Sequence, residues 1–434
     1  MTTAETQTSD ARVETRSFDV LIVGGGPAGL SAAEVAARAG ARVAVLERQK
    51  EVGYPVHTSG GSWVSDMRAL GIPAELYYPI KRVTFLSPHK HAHFDYADPV
   101  CCVLDVRGVY QHLAGRAVAA GAEIHPNSPV ERPIVEDGRV VGVIAKDHRN
   151  RAGEWRAPVV VDASGFSSTL STRADLHEGY RRYGYGAEYD LYAPNYDADH
   201  LYLIMGSQVA PSGYAWAFPR GKGRVRLGVG VIRPDVEADA REYLDTFTQR
   251  LPSLAPDFAG ASPIEYHTGL FPSEGVVKRF VSDGLLATGD AAGHGSTLVG
   301  EGIRFAIYSG QMAGETAAAA IKAGDSSASF LERYERQWRG RFGREMEISY
   351  MVNQRIAAWS DERWDESMDL LNRLTPTQAA ELLRGDYSVS LFLGVLRRNP
   401  SLLRTGARKF FDVALQRLGR AGGVSERDVA PASL

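Results

Sequence analysis

Residues 18–48 read FDVLIVGGGPAGLSAAEVAARAGARVAVLER, and this stretch decides the fold. Asp19 to Val23 is a short, β-branched, apolar run, the pattern of a strand buried on both faces. A glycine turn follows at once. Gly24, Gly26 and Gly29 satisfy G-x-G-x-x-G: the first allows the tight turn, the second lets a pyrophosphate approach the backbone, and the third lets the next helix pack on the strand. Pro27 to Ala39, built on small residues, is expected to be that helix, with its N-terminal amides and positive dipole end facing a diphosphate. Arg42 to Leu46 forms a second strand and delivers Glu47 at its end, roughly 20 residues beyond the turn, where a carboxylate holds a ribose hydroxyl. Strand, turn, helix, strand and acid are in register, which a chance glycine-rich loop does not achieve.

Outward from this unit, 434 residues give room for two or three domains, and a net charge of −3 gives no sign of a nucleic-acid partner. The two cysteines, Cys101 and Cys102, are neighbours; they cannot supply the spaced thiolates of an iron–sulfur cluster and read as small buried hydrophobes in a reducing, cytoplasmic setting. Residues 1–17 read as a disordered tail without the apolar core of a signal peptide, and no run is long and apolar enough to span a bilayer.

Further along, Pro158 to Val161 is another buried strand ending in Asp162-Ala-Ser-Gly165, and Leu285 to Thr288 is one more, running into Gly289-Asp290. Between them, residues 180–270 alternate as antiparallel strands, with one helix expected over 237–251. The pattern predicts an α/β protein: a Rossmann-like domain made of residues 18–62, 101–178 and 275–326, an inserted antiparallel-sheet domain of residues 63–100 and 179–274 carrying the substrate pocket, a C-terminal helical region over 327–420, and a tail over 421–434. Three nucleotide-facing segments converge: the glycine turn, the Asp162 strand end and Gly289-Asp290. A nicotinamide enzyme needs only the first. A tightly held flavin dinucleotide also needs Asp290 for a ribityl hydroxyl and the helix N-terminus after Gly300-Glu-Gly-Ile303 for the electron-rich edge of the ring.

At these residues the chain resembles the geranylgeranyl reductases, FAD flavoproteins of the p-hydroxybenzoate hydroxylase-like superfamily. Three stretches carry the likeness: the turn with Gly53-Tyr-Pro-Val56, then Gly213-Tyr-Ala-Trp-Ala-Phe-Pro219 with Gly228-Val-Gly230, and Gly289-Asp-Ala-Ala-Gly293 through Gly300-Glu-Gly-Ile303. The resemblance implies FAD contacts at Ala28, Glu47, Arg48, Arg107, Asp290, Gly302 and Ile303, and a substrate wall of Tyr214, Trp216 and Phe218. Strand spacing puts these three aromatics on one face whether they line a pocket or a core. Archaeal members carry a cysteine where this chain has Thr58. A hydroxyl there, or the neighbouring His57, is then the candidate proton donor, and a merely solvated histidine is the alternative.

The implied function is reduction of carbon–carbon double bonds in an isoprenoid chain by hydride transfer from reduced FAD, itself reduced by NADPH, ferredoxin or another donor. The alternatives on the same scaffold are an aromatic monooxygenase or halogenase, and an electron-transfer partner to a quinone. Halogenases pair a related tryptophan signature with an essential lysine, and Arg48 and Lys50 do not reproduce that pattern. Residues 391–420 mix large apolar side chains with arginines and lysine. A helical pair resting on the inner face of a membrane and one packed on its own domain both remain open.

Overall fold

The computed structural model describes residues 14–398. Its nucleotide-facing sheet has six strands in the order Val281–Ser282, Leu285–Ala287, Val159–Asp162, Val20–Val23, Val43–Leu46 and Glu123–His125. All pairings are parallel except the first. The inner strands are buried along their whole length, as continuous apolar runs require when helices cover both faces. The helix Pro27–Arg38 crosses one face and packs on the long helix Ile303–Ala323. That packing is close because of glycine. A Cβ on Gly310 would sit 2.1 Å from the Ala28 carbonyl oxygen, and one on Gly314 2.5 Å from that of Ala32.

The hairpin Val130–Glu136 and Arg139–Lys146 turns at Asp137 and Gly138, both with positive φ, and builds a small sheet with Ala152–Arg156 and Glu14–Ser17. Cys101 and Cys102 are free thiols on Cys101–Leu104, with Cys102 buried.

A seven-stranded sheet follows in the order Ser262–Pro272, Tyr183–Tyr192, Arg224–Arg233, Ala210–Gly221, His200–Gly206, Arg82–Leu86 and His91–Asp95. Strand alternation gives it two different faces. Ala187, Leu191, Ala215, Ala217, Val225, Leu227 and Val229 point one way, into a core shared with Leu244 and Phe247. The helix expected over 237–251 is broken at Thr246 into Ala240–Asp245 and Phe247–Arg250. The opposite face carries glycines, aromatics and charges, and it faces the cavity described below.

Five helices from Ala328–Trp338 to Val389–Arg398 complete the described chain, with a π-helical turn at Arg339–Gly343. Met368 and Ala379 from these helices and Leu374 from the connection between them join Phe85, Phe94 and Trp216 in one core, so this region closes the open end of the seven-stranded sheet. Leu391, Phe392 and Val395 are buried in the same core, whereas Val389 and Leu393 stay exposed. Residues 399–420, the remainder of the basic apolar segment, lie outside the described residues. Among the described residues no helix is long and apolar enough to cross a membrane.

Candidate active site

One cavity of about 1220 Å³ runs from the glycine turn past the charged face of the seven-stranded sheet to the C-terminal helices. The glycines at its inner end have separate tasks. Gly24, at φ +110°, has its Cβ position 2.2 Å from the Ala163 carbonyl oxygen, and that of Gly29 is 2.0 Å from the Gly24 carbonyl oxygen. Both are close approaches that hold the turn. Around the Cβ position of Gly26, by contrast, there is nothing within 4 Å, and the residue lines the cavity. Glu47 stands at the end of its strand with Oε2 accepting from the Gly25 amide at 2.6 Å and Oε1 from that of Gln49 at 2.7 Å. Arg48 is exposed at the rim and makes no ion pair among the described residues.

The opposite wall of this cradle comes from late in the chain. Gly302 precedes the 21-residue helix Ile303–Ala323 without a side-chain cap, so its first amides are left for a ligand. Gly302, Ile303, Ala28 and Asp290 all line the cavity. The Asp290 carboxylate accepts no hydrogen bond from the described residues, and burial pushes its pKa up to about 6. An unpartnered acid, an open glycine and a row of free amides around one space fit a flavin dinucleotide: the amides and Gly26 would take its diphosphate, and Asp290 a ribityl hydroxyl.

That acid gives a prediction with a definite sign. Its folded pKa lies above the unfolded value of 3.8, so the cofactor-free fold loses stability as pH rises from about 4 through about 6. At neutral pH the loss is on the order of 3 kcal/mol. Asp290→Asn is expected to raise the melting temperature of the apoprotein at pH 7, leave it unchanged near pH 4, and weaken FAD binding roughly tenfold by removing a charged acceptor. Calorimetry across pH with a flavin titration measures both effects.

Three residues expected at the cofactor or substrate sit elsewhere. Asp162 is wholly buried and off the cavity: its carboxylate accepts from the amides of Ser164, Leu170 and Ser171 and from the hydroxyls of Ser164 and Ser171. It therefore shapes the loop whose Ala163 backs Gly24. Arg107 donates Nε to Glu51 at 2.6 Å and stays off the wall. Phe218 lies one row too deep, with its ring 3.1 Å from the Cβ position of Gly61.

Tyr214 and Trp216 do line the cavity, and Tyr214 donates its hydroxyl to the Val299 carbonyl. His57 and Thr58 are on the wall as well. His57 is exposed, and its Nδ1 donates to the Thr268 carbonyl at 3.0 Å.

Sequence reading missed the floor between these groups. Gly186 and Gly230 pair across the strands in one row with Tyr214 and Gly269, and the next row holds Trp216, Gly228, Glu188 and His267. The glycines keep the floor flat: a Cβ on Gly228 would be 2.2 Å from the Trp216 ring. Deeper still, Arg226 is 1% exposed, donates to the Ser59 carbonyl at 2.5 Å and lies 3.5 Å from Asp190. The signal was present as charges at every second position, Glu188 and Asp190, Arg224 and Arg226, Glu265 and His267, all aimed at one face.

A Rossmann-type cradle facing a second sheet across an apolar gallery defines a flavoprotein oxidoreductase. Residues 19–177 match the family model of FAD dependent oxidoreductases, and residues 183–270 that of the geranylgeranyl reductase catalytic domain. A digeranylgeranylglycerophospholipid reductase of Methanopyrus kandleri is 32% identical over 393 residues, covering 89% of this chain and 98% of that protein. A second, from Methanothermobacter thermautotrophicus, is 32% identical over 394 residues with the same coverage. The chain belongs to the geranylgeranyl reductase family and is an FAD-dependent oxidoreductase.

Among solved structures, a geranylgeranyl bacteriochlorophyll reductase-like protein of Thermoplasma acidophilum matches with a TM-score of 0.80 and 27% identity over 90% of this chain and 98% of its own. A flavin-dependent brominase, at TM-score 0.67 and 18% identity over 93% of this chain and 100% of its own, shares the fold alone.

Proposed function

We propose that this protein saturates carbon–carbon double bonds in geranylgeranyl chains carried on a polar lipid. The observation that carries this reading is the continuity of the cavity. Asp290 and Gly302 line the same cavity as Phe85, Leu203, Met205, Trp216, Leu370 and Leu382, so cofactor cradle and apolar gallery share one space. Each methylene the gallery removes from water contributes about 0.8 kcal/mol, so an isoprenoid chain is held along its length rather than by one contact. The bound flavin supplies a hydride. The chain's own residues supply placement: Tyr214 and Trp216 fix the wall, the flat floor admits the branched chain, and the C-terminal helices exclude water.

No lysine lines the cavity among the described residues, which leaves the halogenase reading without its essential amine. The exposed Val389 and Leu393, followed by Arg397 and Arg398, suit a peripheral contact with the lipid surface that presents the substrate. The test is direct. Reduced without oxygen and given prenyl lipids in vesicles, the yellow protein is expected to add hydrogen in steps of two atoms per double bond, read by mass spectrometry. Hydroxylated or halogenated arenes with untouched prenyl chains would refute the proposal.

A further inference from the structure

Saturating an alkene adds a hydride to one carbon and a proton to the other, and His57, exposed on the wall with Nδ1 donating to the Thr268 carbonyl, hydrogen-bonds no carboxylate among the described residues that would resupply a proton. Resting on the alkene-reductase reading above, we infer that Glu265, His267 and Glu188 form a proton path from solvent to the gallery. His267 is the proton source and Glu188 the group that hands the proton to the alkene carbon.

Strand register creates the path. Glu188 pairs with His267 on one side and with Gly228 on the other, and Gly228 pairs in turn with Trp216, so His267, Glu188 and Trp216 stand in one row on the cavity face, with Glu265, which pairs with Asp190, in the next. His267 Nε2 lies 2.9 Å from Glu265 Oε2, and its Nδ1 lies 3.3 Å from Glu188 Oε1. The remaining Glu188 oxygen accepts from the Trp216 indole at 2.7 Å, which aims the carboxyl group beside the aromatic wall. Side-chain exposure falls along the path from 45% at Glu265 to 7% at His267 and 5% at Glu188. Glu188 and His267 line the cavity and Glu265 does not.

The surrounding charges suit the task. Burial alone would lower the His267 pKa, but hydrogen bonds to Glu188 and Glu265 outweigh it and hold the imidazole above its ordinary value, against the opposing charge of Arg226. Arg226 also lies 3.7 Å from Glu188, Arg224 lies 4.0 Å from Glu265, and Arg220 and Arg224 are paired with Asp190. Of the other acids on the wall, Asp290 is unpartnered but belongs to the cofactor cradle, and Glu301 accepts from Ser62, Trp63 and Arg304. Glu47 accepts two backbone amides at the nucleotide end, and Tyr214, whose pKa burial raises, keeps its proton on the Val299 carbonyl.

The step balances. The alkene π bond breaks as one carbon takes the hydride. The electron pair left on the neighbouring carbon takes a proton from Glu188, which receives one from His267 Nδ1. One solvent proton, entering along Glu265, restores the imidazolium.

The experiment is a single turnover of reduced holoenzyme with a geranylgeranyl lipid, followed by mass spectrometry over about pH 5 to 9, a range that brackets histidine titration. His267→Gln and Glu188→Gln are each expected to slow product formation about 100-fold, within the range of general acid catalysis. Flavin content and the rate of flavin reduction by dithionite should stay at wild-type values. The wild-type rate falls as pH rises through the raised His267 pKa, and this alkaline limb disappears in His267→Gln. Glu265→Gln, at a half-exposed position that leaves the fold intact, moves the limb to lower pH by removing one of the two acceptors. Independently of turnover, the His267 ring resonance in histidine-labelled protein, assigned by its loss in His267→Gln, titrates above the ordinary range and shifts down in Glu188→Gln. A His267→Gln enzyme with wild-type rate and pH profile, or a His267 ring titrating at or below the ordinary value, overturns the path. A wild-type enzyme that yields no hydrogenated lipid removes the function itself and the path with it.

Discussion

Gly26→Val is expected to yield a correctly folded, colourless protein. The backbone at Gly26 has φ −81° and ψ −178°, an extended conformation open to valine, and its Cβ position meets nothing within 4 Å. The added methyl groups therefore cost the fold little and occupy the space a diphosphate needs. A loss of about 1000-fold in FAD affinity, or about 4 kcal/mol, follows from denying the phosphates their approach to the helix amides. Gly24 and Gly29 behave differently. Their Cβ positions lie 2.2 and 2.0 Å from backbone oxygens, so any side chain there disrupts the turn before binding is in question. The ratio of flavin absorbance to protein, measured beside the melting temperature of the apoprotein, separates the two classes. Retention of flavin by a folded Gly26→Val protein would remove the diphosphate from this position.

Trp216→Ala is expected to do the reverse, keeping the yellow colour and losing turnover. The cradle residues belong to other segments, so cofactor retention is untouched. The indole, 9% exposed, lies over the Gly228 backbone 5.7 Å from the Tyr214 ring, and it is the hydrogen-bond donor to Glu188. Removing it widens the gallery beside the reacting carbon. A misplacement of about 1 Å is enough to cost 100-fold in rate. Stability falls by about 3 kcal/mol, the lower end for truncating a buried tryptophan, because the void adjoins an existing cavity. Trp216→Phe restores most of the wall without the indole N–H, so a partial recovery of rate divides wall from hydrogen bond. A flavin-free Trp216→Ala protein would show that the indole supports the cradle after all.

The parts of this structure that could be read from the chain are those whose cause is local. The first strand, turn and helix follow from residues within one short stretch, and Gly302 stands directly before the long helix Ile303–Ala323. Asp162 shows the limit. An acid at a strand end reads as a ligand contact, yet the following loop folds back and satisfies both of its oxygens from Ser164, Leu170 and Ser171.

Periodicity likewise placed Tyr214, Trp216 and Phe218 on one face without saying where the cavity stops. The packing of Gly61 on Phe218 decides that. Alternating charges marked the face that carries Glu188 and His267, but not that the two meet. The two residues are 79 apart, and their meeting depends on cross-strand register, which no local pattern specifies. Arg107 stands off the cavity wall beside Glu51, an ion pair between residues 56 apart that no local pattern signals.

The contact between the helices Pro27–Arg38 and Ile303–Ala323 bears on how the protein is made. Gly310 and Gly314 meet Ala28 and Ala32 almost backbone to backbone, so the first helix has no finished surface to rest on until those glycines exist. During translation the earliest turn of the chain leaves the ribosome long before the segment that completes it, and domains ordinarily fold as units from the N-terminal side. Flavin capture must therefore wait for about three quarters of the polypeptide to emerge. The coenzyme acts on an almost complete molecule rather than as an early template, and truncations ending before the late helix should be insoluble whatever the vitamin supply.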